Sequence, residues 1–446
     1  MFQRLVPPAL AEAALQHLQR DGVQRGAIVA WLGHNSWDLL ATLVACERLG
    51  VVLLPLNWRL AAAELAQIVA HAGAGHLMGT PEMEALAAEV LARVPLTPGP
   101  AAGVVPGDLL LVYTSGTTGR PKGAMHTVAG MQANAVAAIA AQRLDARSRV
   151  LSVLPLFHLG GLCIQTLPAL AVGGQVLLHA RFDPDAWFDA VASWRPTTTL
   201  LVPAVMRALI EHPRWAGADL SSLQFVNSGS QIVPRSLIAA FHARGVPVAQ
   251  VYGATETGPV SIVLHPDEAF GHLGHAGRPA LGVQVRLAAD GEILLKGANL
   301  MRGYHREAES GFDAQGWFHT GDLAVRHEDG CLEVVGRSKE LIISGGENIH
   351  PAEIENLAAE RPEVADCAVV GLPDARWGEV PVLAVVLRPG AELDRQALQR
   401  LFDARLARFK HPREVIVVDV LPKTALGKVQ RAALARGLIQ RNGPPA

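Results

Sequence analysis

The chain has 446 residues, half of them hydrophobic and 18% charged, with a formal net charge of −2 at pH 7. That length exceeds one ordinary domain and supplies ample apolar material for a core, while a near-neutral balance without a basic run argues against a nucleic-acid partner. Four cysteines, Cys46, Cys163, Cys331 and Cys367, are scattered without metal-ligand spacing. They fit reduced thiols in a cytoplasmic protein better than a zinc site or a disulfide framework. The first residues show no apolar signal region, and the longest apolar stretches, such as 167–178, are broken by Pro168 and Gly173-Gly174. No membrane span is therefore expected.

In chain order, residues 9–20 carry helical spacing and stop at Asp21-Gly22. A strand is predicted over 27–32, a helix over 37–49, and a second strand over 51–54. The Pro-containing stretch 95–106 reads as a surface connector, and 108–112 as a short buried strand. Strand and helix then alternate through 176–178, 186–193, 198–202 and 224–226, which predicts parallel sheets covered by helices. Between 283 and 335 short strands are separated by Asp290-Gly291 and Asp329-Gly330, the signature of a small antiparallel subdomain. Beyond it, strands near 367–370 and 382–387 and a helix over 394–406 suggest a compact α+β unit. The expected fold class is thus α/β: a large N-terminal domain, 1–337, and a small mobile C-terminal domain, 338–446. Gly336 and the polar residues after it would form the hinge.

The most informative stretch is Tyr113-Thr-Ser-Gly-Thr-Thr-Gly-Arg-Pro-Lys-Gly123, which directly follows the predicted strand at 108–112. Three glycines let backbone N–H groups approach oxygens closely, the hydroxyls donate hydrogen bonds, and Lys122 offsets charge, as a polyphosphate cradle requires. It is not a Walker loop, because Gly123 stands where that pattern needs Ser or Thr.

This string resembles the phosphate-binding signature of the adenylate-forming enzymes, the family of acyl-CoA ligases, peptide-synthetase adenylation domains and luciferases. Further motifs of that family recur in order: Pro155-Leu-Phe-His158, Tyr252-Gly-Ala-Thr-Glu-Thr257, Trp317-Phe-His-Thr-Gly-Asp322, the run from Gly336 to Ile349, and Pro422-Lys-Thr-Ala-Leu-Gly-Lys428. The chain is shorter than the family pattern at its start and between Gly79 and Val112. The resemblance allows a homodimer, with the N-terminal surface altered.

The resemblance implies roles residue by residue. Thr114, Ser115, Gly116, Thr117, Thr118, Gly119 and Lys122 would hold the β- and γ-phosphates of ATP. Glu256 would bind Mg²⁺, a hard cation that prefers carboxylate and phosphate oxygens, and Thr255 would bond the α-phosphate. Asp322 would accept both ribose hydroxyls, with Arg337 beside it. Tyr252, Gly253 and the loop Ser228-Gly229-Ser230-Gln231 would enclose adenine. His158, Gly160, Gly161 and Ala254 would line the acyl pocket. Lys428 would bridge carboxylate and α-phosphate during adenylation, Lys339 would be the hinge, and Ser344, Gly345 and Gly346 would line the entry of coenzyme A.

Amino-acid-activating relatives place an aspartate where this chain has His158. An ammonium would lack a partner there, so an apolar aliphatic or aromatic acid is expected. Only 18 residues follow Lys428, too few for a fused carrier domain, so free coenzyme A is the expected acceptor. The reading is an ATP-dependent acid–CoA ligase working through acyl-AMP. The alternatives are an o-succinylbenzoate–CoA ligase, an acyl-adenylate donor to a separate carrier protein, and a degenerate nucleotide-binding module. The last is opposed by the presence of Lys122, Glu256, Asp322 and Lys428.

Overall fold

The computed structural model describes residues 5–114, 121–308, 310–374, 376–424 and 427–442. Its backbone forms four sheets. In the first, the strands lie in the order Gly303–Tyr304, Lys122–Thr127, Asp108–Thr114, Val52–Leu56, Ile28–Leu32 and His76–Gly79. The last four are parallel, and the two nearest the Gly303–Tyr304 edge are antiparallel additions. Ile28–Leu32 and Val52–Leu56 are buried along their whole length. Unbroken apolar runs are what a parallel strand covered on both faces requires.

The second sheet runs Arg278–Pro279, Ile262–Val263, Val248–Tyr252, Phe225–Gly229, Thr198–Leu201, Arg149–Ser152 and Gln175–Leu178. Its last five strands are parallel and Ile262–Val263 pairs antiparallel. The third sheet is the expected antiparallel unit: Val283–Leu287, Glu292–Gly297, Phe318–Arg326 and Leu332–Arg337.

Covering helices begin and end where local chemistry dictates. Ser36 Oγ accepts from Leu39 N at 3.2 Å to start Trp37–Leu49, and Gly50, at φ 67°, closes it in a left-handed conformation. Thr127 caps Val128–Gln142 and Asp183 caps Pro184–Ser193 in the same way.

The fourth sheet, built from Ile342–Ser344, Glu347–Ile349, Val364–Asp374, Gly378–Leu387 and Glu414–Val417, belongs to the C-terminal unit. Its central hairpin alternates in burial. Val369, Leu383 and Val385 pack with Ile354, Leu398 and Phe402 on one face. Ala368, Val370, Val382 and Ala384 pack with Leu434 and Leu438 on the other. The period of two along each strand thus sandwiches the sheet between Pro351–Ala358 with Arg395–Arg405 on one side and Arg431–Asn442 on the other.

The predicted elements are present, with edges shifted. The helix expected over 394–406 spans Arg395–Arg405, because Asp394 accepts from Ala397 N as its cap. The strand expected over 367–370 runs from Val364 to Asp374. Lys122 lies on a strand, not in a loop, because Lys122–Thr127 pairs back onto Asp108–Thr114. The polypeptide leaves the third sheet at Arg337, the last residue of the expected N-terminal unit.

Gly277 joins the second and third sheets. Leu332 N donates to its carbonyl at 2.7 Å, and the Gly277 and Ala276 N–H groups return bonds to Leu332 O. With φ at 104°, an added Cβ would meet the Val263 carbonyl oxygen at 1.9 Å. Both the conformation and the space exclude a side chain. Gly277→Ala should therefore cost about 3 kcal/mol of stability, read as a lower midpoint in urea with an unchanged slope. An unaltered midpoint would show that this junction relaxes freely.

Candidate active site

One cleft of about 1770 Å³ runs between the large body and the C-terminal unit. Its floor is made by residues at the C-terminal ends of parallel strands: Thr114, Leu56 and Asn57 from the first sheet, and Val202, Gly229 and Tyr252 from the second. Side chains converge at these ends because each strand delivers its following loop to the same edge.

Thr114 and Lys122 face each other in register across the hairpin whose connecting residues are 115–121. Ser115, Gly116, Thr117, Thr118 and Gly119 lie outside the described residues. Thr114 Oγ1 donates to Glu256 Oε1 at 3.2 Å, and Tyr304 Oη donates to the same oxygen at 3.0 Å. Lys122 Nζ sits 5.1 Å from the centroid of the Tyr304 ring. The strand that begins at Lys122 and the loop bearing Glu256 are thus joined through Tyr304. Its edge strand, Gly303–Tyr304, carried no sequence signal that singled it out. A carboxylate and a hydroxyl oxygen at this spacing are the hard donors that a magnesium ion with phosphate ligands accepts, so the residues fit that group.

Asp322 lies opposite Arg337 on adjacent antiparallel strands. Arg337 Nε donates to Oδ1 at 2.8 Å, and Tyr252 Oη donates to Oδ2 at 2.8 Å. Burial, reinforced by Asp322, raises the Tyr252 phenol well above its usual pKa, so it remains a donor. A carboxylate has roughly four acceptor positions, so Asp322 retains capacity for further hydroxyl donors. Gly229, Ser230, Gln231, Gly253, Ala254 and Thr255 all line the cleft. Gly229 is required by packing, since a Cβ would meet Val251 O at 2.2 Å. Ser230 adopts a left-handed φ of 72°. Ser228 does not reach the cleft: it is buried, and its hydroxyl donates to Met206 Sδ.

At the other end, His158 lines the cleft with its ring 4.4 Å from that of Phe157. Its Nε2 is buried without a hydrogen-bond partner. Burial, with Arg59 nearby, pushes its pKa down to about 3. The ring is therefore neutral at physiological pH. Gly160 and Gly161 stand behind it and do not line the cleft. A Cβ on Gly161 would meet Pro155 O at 2.3 Å, so this glycine serves the tight turn after the motif.

The C-terminal unit closes the cleft. Thr424 N donates to Lys428 O and Lys428 N donates to Thr424 Oγ1, making a turn whose Gly427 packs toward Ala204. This seats Lys428 in the cleft near Arg337, Glu340 and Asp322, where burial and then Arg337 lower its pKa. Arg388 Nη1 pairs with Glu211 Oε1 at 2.6 Å, holding the unit against the end of helix Pro203–Ile210. Within the unit, Arg431 ties Glu340 and Glu355 together. Lys339 lines the cleft within the turn Ser338–Glu340. Ser344, Gly345 and Gly346 do not: they form a hairpin tip, with both glycines at positive φ and Gly345 against the Trp377 ring.

Comparison with known proteins agrees with this arrangement. The family described as AMP-binding enzyme matches residues 9–305, and the AMP-binding enzyme C-terminal domain matches 353–428. The chain is 45% identical to an indoleacetate–CoA ligase of Aromatoleum aromaticum, covering 95% of this chain and 90% of that one. It is 42% identical to a feruloyl-CoA synthase of an Amycolatopsis species, with 94% and 90% covered. Among solved structures, o-succinylbenzoate-CoA synthetase from Bacillus subtilis, in complex with its acyl-adenylate intermediate, superposes with a TM-score of 0.85 at 30% identity, covering 96% and 91%. The chain belongs to the AMP-binding, adenylate-forming enzymes. Its activity is that of an AMP-forming acid–CoA ligase, with ATP, a small carboxylic acid and coenzyme A as substrates. No helix among the described residues is long and apolar enough to cross a membrane.

His126, opposite Leu110 behind the Glu256 loop, is a titrating group that sequence inspection does not single out. Burial pushes its pKa down to about 4. In the unfolded chain the ring takes a proton near its ordinary value of about 6.5. Acidification below that value therefore favours the unfolded state, at pH 5 by on the order of 2 kcal/mol. His126→Asn should narrow the drop in Tm between pH 7 and pH 5. An identical drop in both proteins would show that His126 does not govern the acid limb.

Proposed function

We propose that this ligase activates an aromatic monocarboxylic acid, of the arylacetic or arylpropenoic kind, and transfers it to free coenzyme A. The observation that carries the reading is the convergence of Lys428, Asp322–Arg337 and Glu256–Thr114 on one cleft that ends at Phe157 and a neutral His158. The 45% and 42% identities to enzymes named for indoleacetate and ferulate support the aromatic substrate.

A carboxylate is ionised at neutral pH and needs no general base. Its oxygen attacks the α-phosphorus of ATP, pyrophosphate leaves, and the acyl-adenylate remains. The obstacle is the meeting of two anions, so the residues act by positioning and charge compensation. Glu256 and Thr114 would hold a magnesium ion, which supplies further neutralisation of phosphate charge when bound. Lys122 and the loop that follows Thr114 take the departing phosphates, and Thr255 bonds the α-phosphate. Asp322 and Arg337 fix the ribose, while Tyr252 orients Asp322. Lys428 carries the central role. Burial, and then Arg337, disfavour its ammonium, and the arriving carboxylate and phosphate compensate for that burial where the new bond forms.

For the second step the thiolate of coenzyme A attacks the acyl carbonyl and AMP leaves. The Gly345-Gly346 tip stands away from the cleft in the described arrangement. A rotation about Lys339, at the boundary of units 1–337 and 338–446, would bring it in and withdraw Lys428.

Pyrophosphate release measured over indoleacetate, ferulate, an aliphatic acid and 2-succinylbenzoate should show the highest kcat/KM for an aromatic monocarboxylate, by about tenfold or more over the aliphatic acid. Preference for the aliphatic acid or for the dicarboxylate would overturn the assignment.

Half-reactions separate the two steps. Lys428→Ala should lose about a thousandfold or more in adenylate formation yet still convert synthetic acyl-AMP and coenzyme A to thioester. Lys339→Pro, which fixes φ at the hinge, should spare adenylation and slow thioester formation. Loss of the same half-reaction in both variants would exclude the rotation.

A further inference from the structure

Asn35 lies in the turn between strand Ile28–Leu32 of the first sheet and helix Trp37–Leu49, and it is 8% exposed. Its partners lie past strand ends of the second sheet. The backbone N–H donates to Ala180 O at 3.1 Å, and Nδ2 donates to His179 O at 3.0 Å, both just beyond Gln175–Leu178. Nδ2 also donates to Leu154 O at 2.9 Å, and Oδ1 accepts from Leu156 N at 2.7 Å, beyond Arg149–Ser152. The amide therefore has one orientation, since an N–H meets its oxygen and two carbonyls meet its nitrogen. Leu154 and Leu156 begin the segment that ends in Phe157 and His158, both of which line the cleft.

We propose that Asn35 is a positioning residue for the carboxylic acid, setting Phe157 and His158 at the cleft from behind without touching the substrate. The inference rests on the reading that the acid lies against Phe157 and His158. Leu154 and Leu156 are 6% and 0% exposed, so their polar backbone groups need partners inside the protein. Leu156 also buries its side chain with Trp31, Leu53 and Leu110 of the first sheet. The segment is thus held to that sheet by its backbone and by its side chain together. His158 N donates to Pro155 O at 3.2 Å, a turn that passes the position of Leu154–Leu156 on to the His158 ring.

Asn35 is itself anchored on both sides. Ala180 O takes its N–H, and the next residue, Ser36, caps the following helix. An asparagine amide supplies two donors and an acceptor at this spot. Alanine would leave Leu154 O and Leu156 N without these bonds, and such a segment shifts until other partners are found. Glu256, Thr114, Asp322 and Arg337 stand on other segments, so the displacement falls on the acid and spares the nucleotide.

The test is steady-state pyrophosphate release by the full-length protein, with acid and ATP varied separately. The acid is whichever member of the panel above has the highest kcat/KM, so failure of the aromatic assignment leaves this test standing. Asn35→Ala should raise KM for the acid by about tenfold or more, because small displacements of positioning groups are costly, and leave KM for ATP within about twofold. Loss of folded protein alone would lower kcat with every substrate and move neither KM. Asn35→Ser, a milder change that keeps one hydroxyl, should show the same split to a smaller degree and serves if the alanine variant does not fold. His158→Ala tests the underlying reading and should also raise KM for the acid. A rise with His158→Ala but with neither Asn35 variant, equal rises in both KM values, or a fall in kcat alone would overturn the role of Asn35. An unchanged KM for the acid in His158→Ala would remove the pocket reading, and this inference with it.

Discussion

The Asp322 carboxylate is the constraint on which the cleft depends. It is 7% exposed and joins two sheets: Arg337 reaches it from the neighbouring strand of the third, and Tyr252 from the end of a strand of the second. A buried carboxylate is tolerated only when its charge is paired and its oxygens are bonded. Removing either partner would strand charge in the protein interior, so the register of Phe318–Arg326 on Leu332–Arg337 and the path of Val248–Tyr252 constrain one another. The same arrangement leaves the carboxylate edge facing the cleft, where sugar hydroxyls would complete it. Stability and the proposed nucleotide recognition thus draw on one group.

From Arg337 the chain passes through Lys339 and Glu340 into the C-terminal unit, which returns Lys428 to within electrostatic reach of Asp322 and Arg337. The ion pairs that hold it there are Arg388 on Glu211 and Arg207 near Asp366, while Arg431 ties Glu340 and Glu355 together within the unit. The pairs between the unit and helix Pro203–Ile210 are partly exposed, and exposed ion pairs contribute little individually. A contact of that kind can open without a large loss, whereas the unit's two apolar cores, on either side of its own sheet, move with it. The chemistry of the contact suits the rotation proposed for that unit.

Much of this protein was legible in its sequence. Parallel alternation, the antiparallel insert between Asp-Gly turns, and the helices near 37–49 and 186–193 follow from local periodicity. Those signals act over a few residues and need no distant partner. The motifs likewise pointed to Thr114, Glu256, Asp322, Arg337 and Lys428, all of which line the cleft, because a string of glycines, hydroxyls and charges has few alternative uses.

Only the tertiary structure decided how these residues meet and which of their neighbours matter. Tyr304 reaches Glu256 because an edge strand pairs beside Lys122–Thr127. Ser228, Gly160 and Gly161 have the expected identities yet stand behind the cleft wall. Asn35 bonds to the backbone of Leu154, Leu156 and His179, from 119 to 144 positions away, because strand ends of the first and second sheets meet there. Such contacts depend on register and crossing between sheets. A single sequence records the period of each element but not the partner it will find.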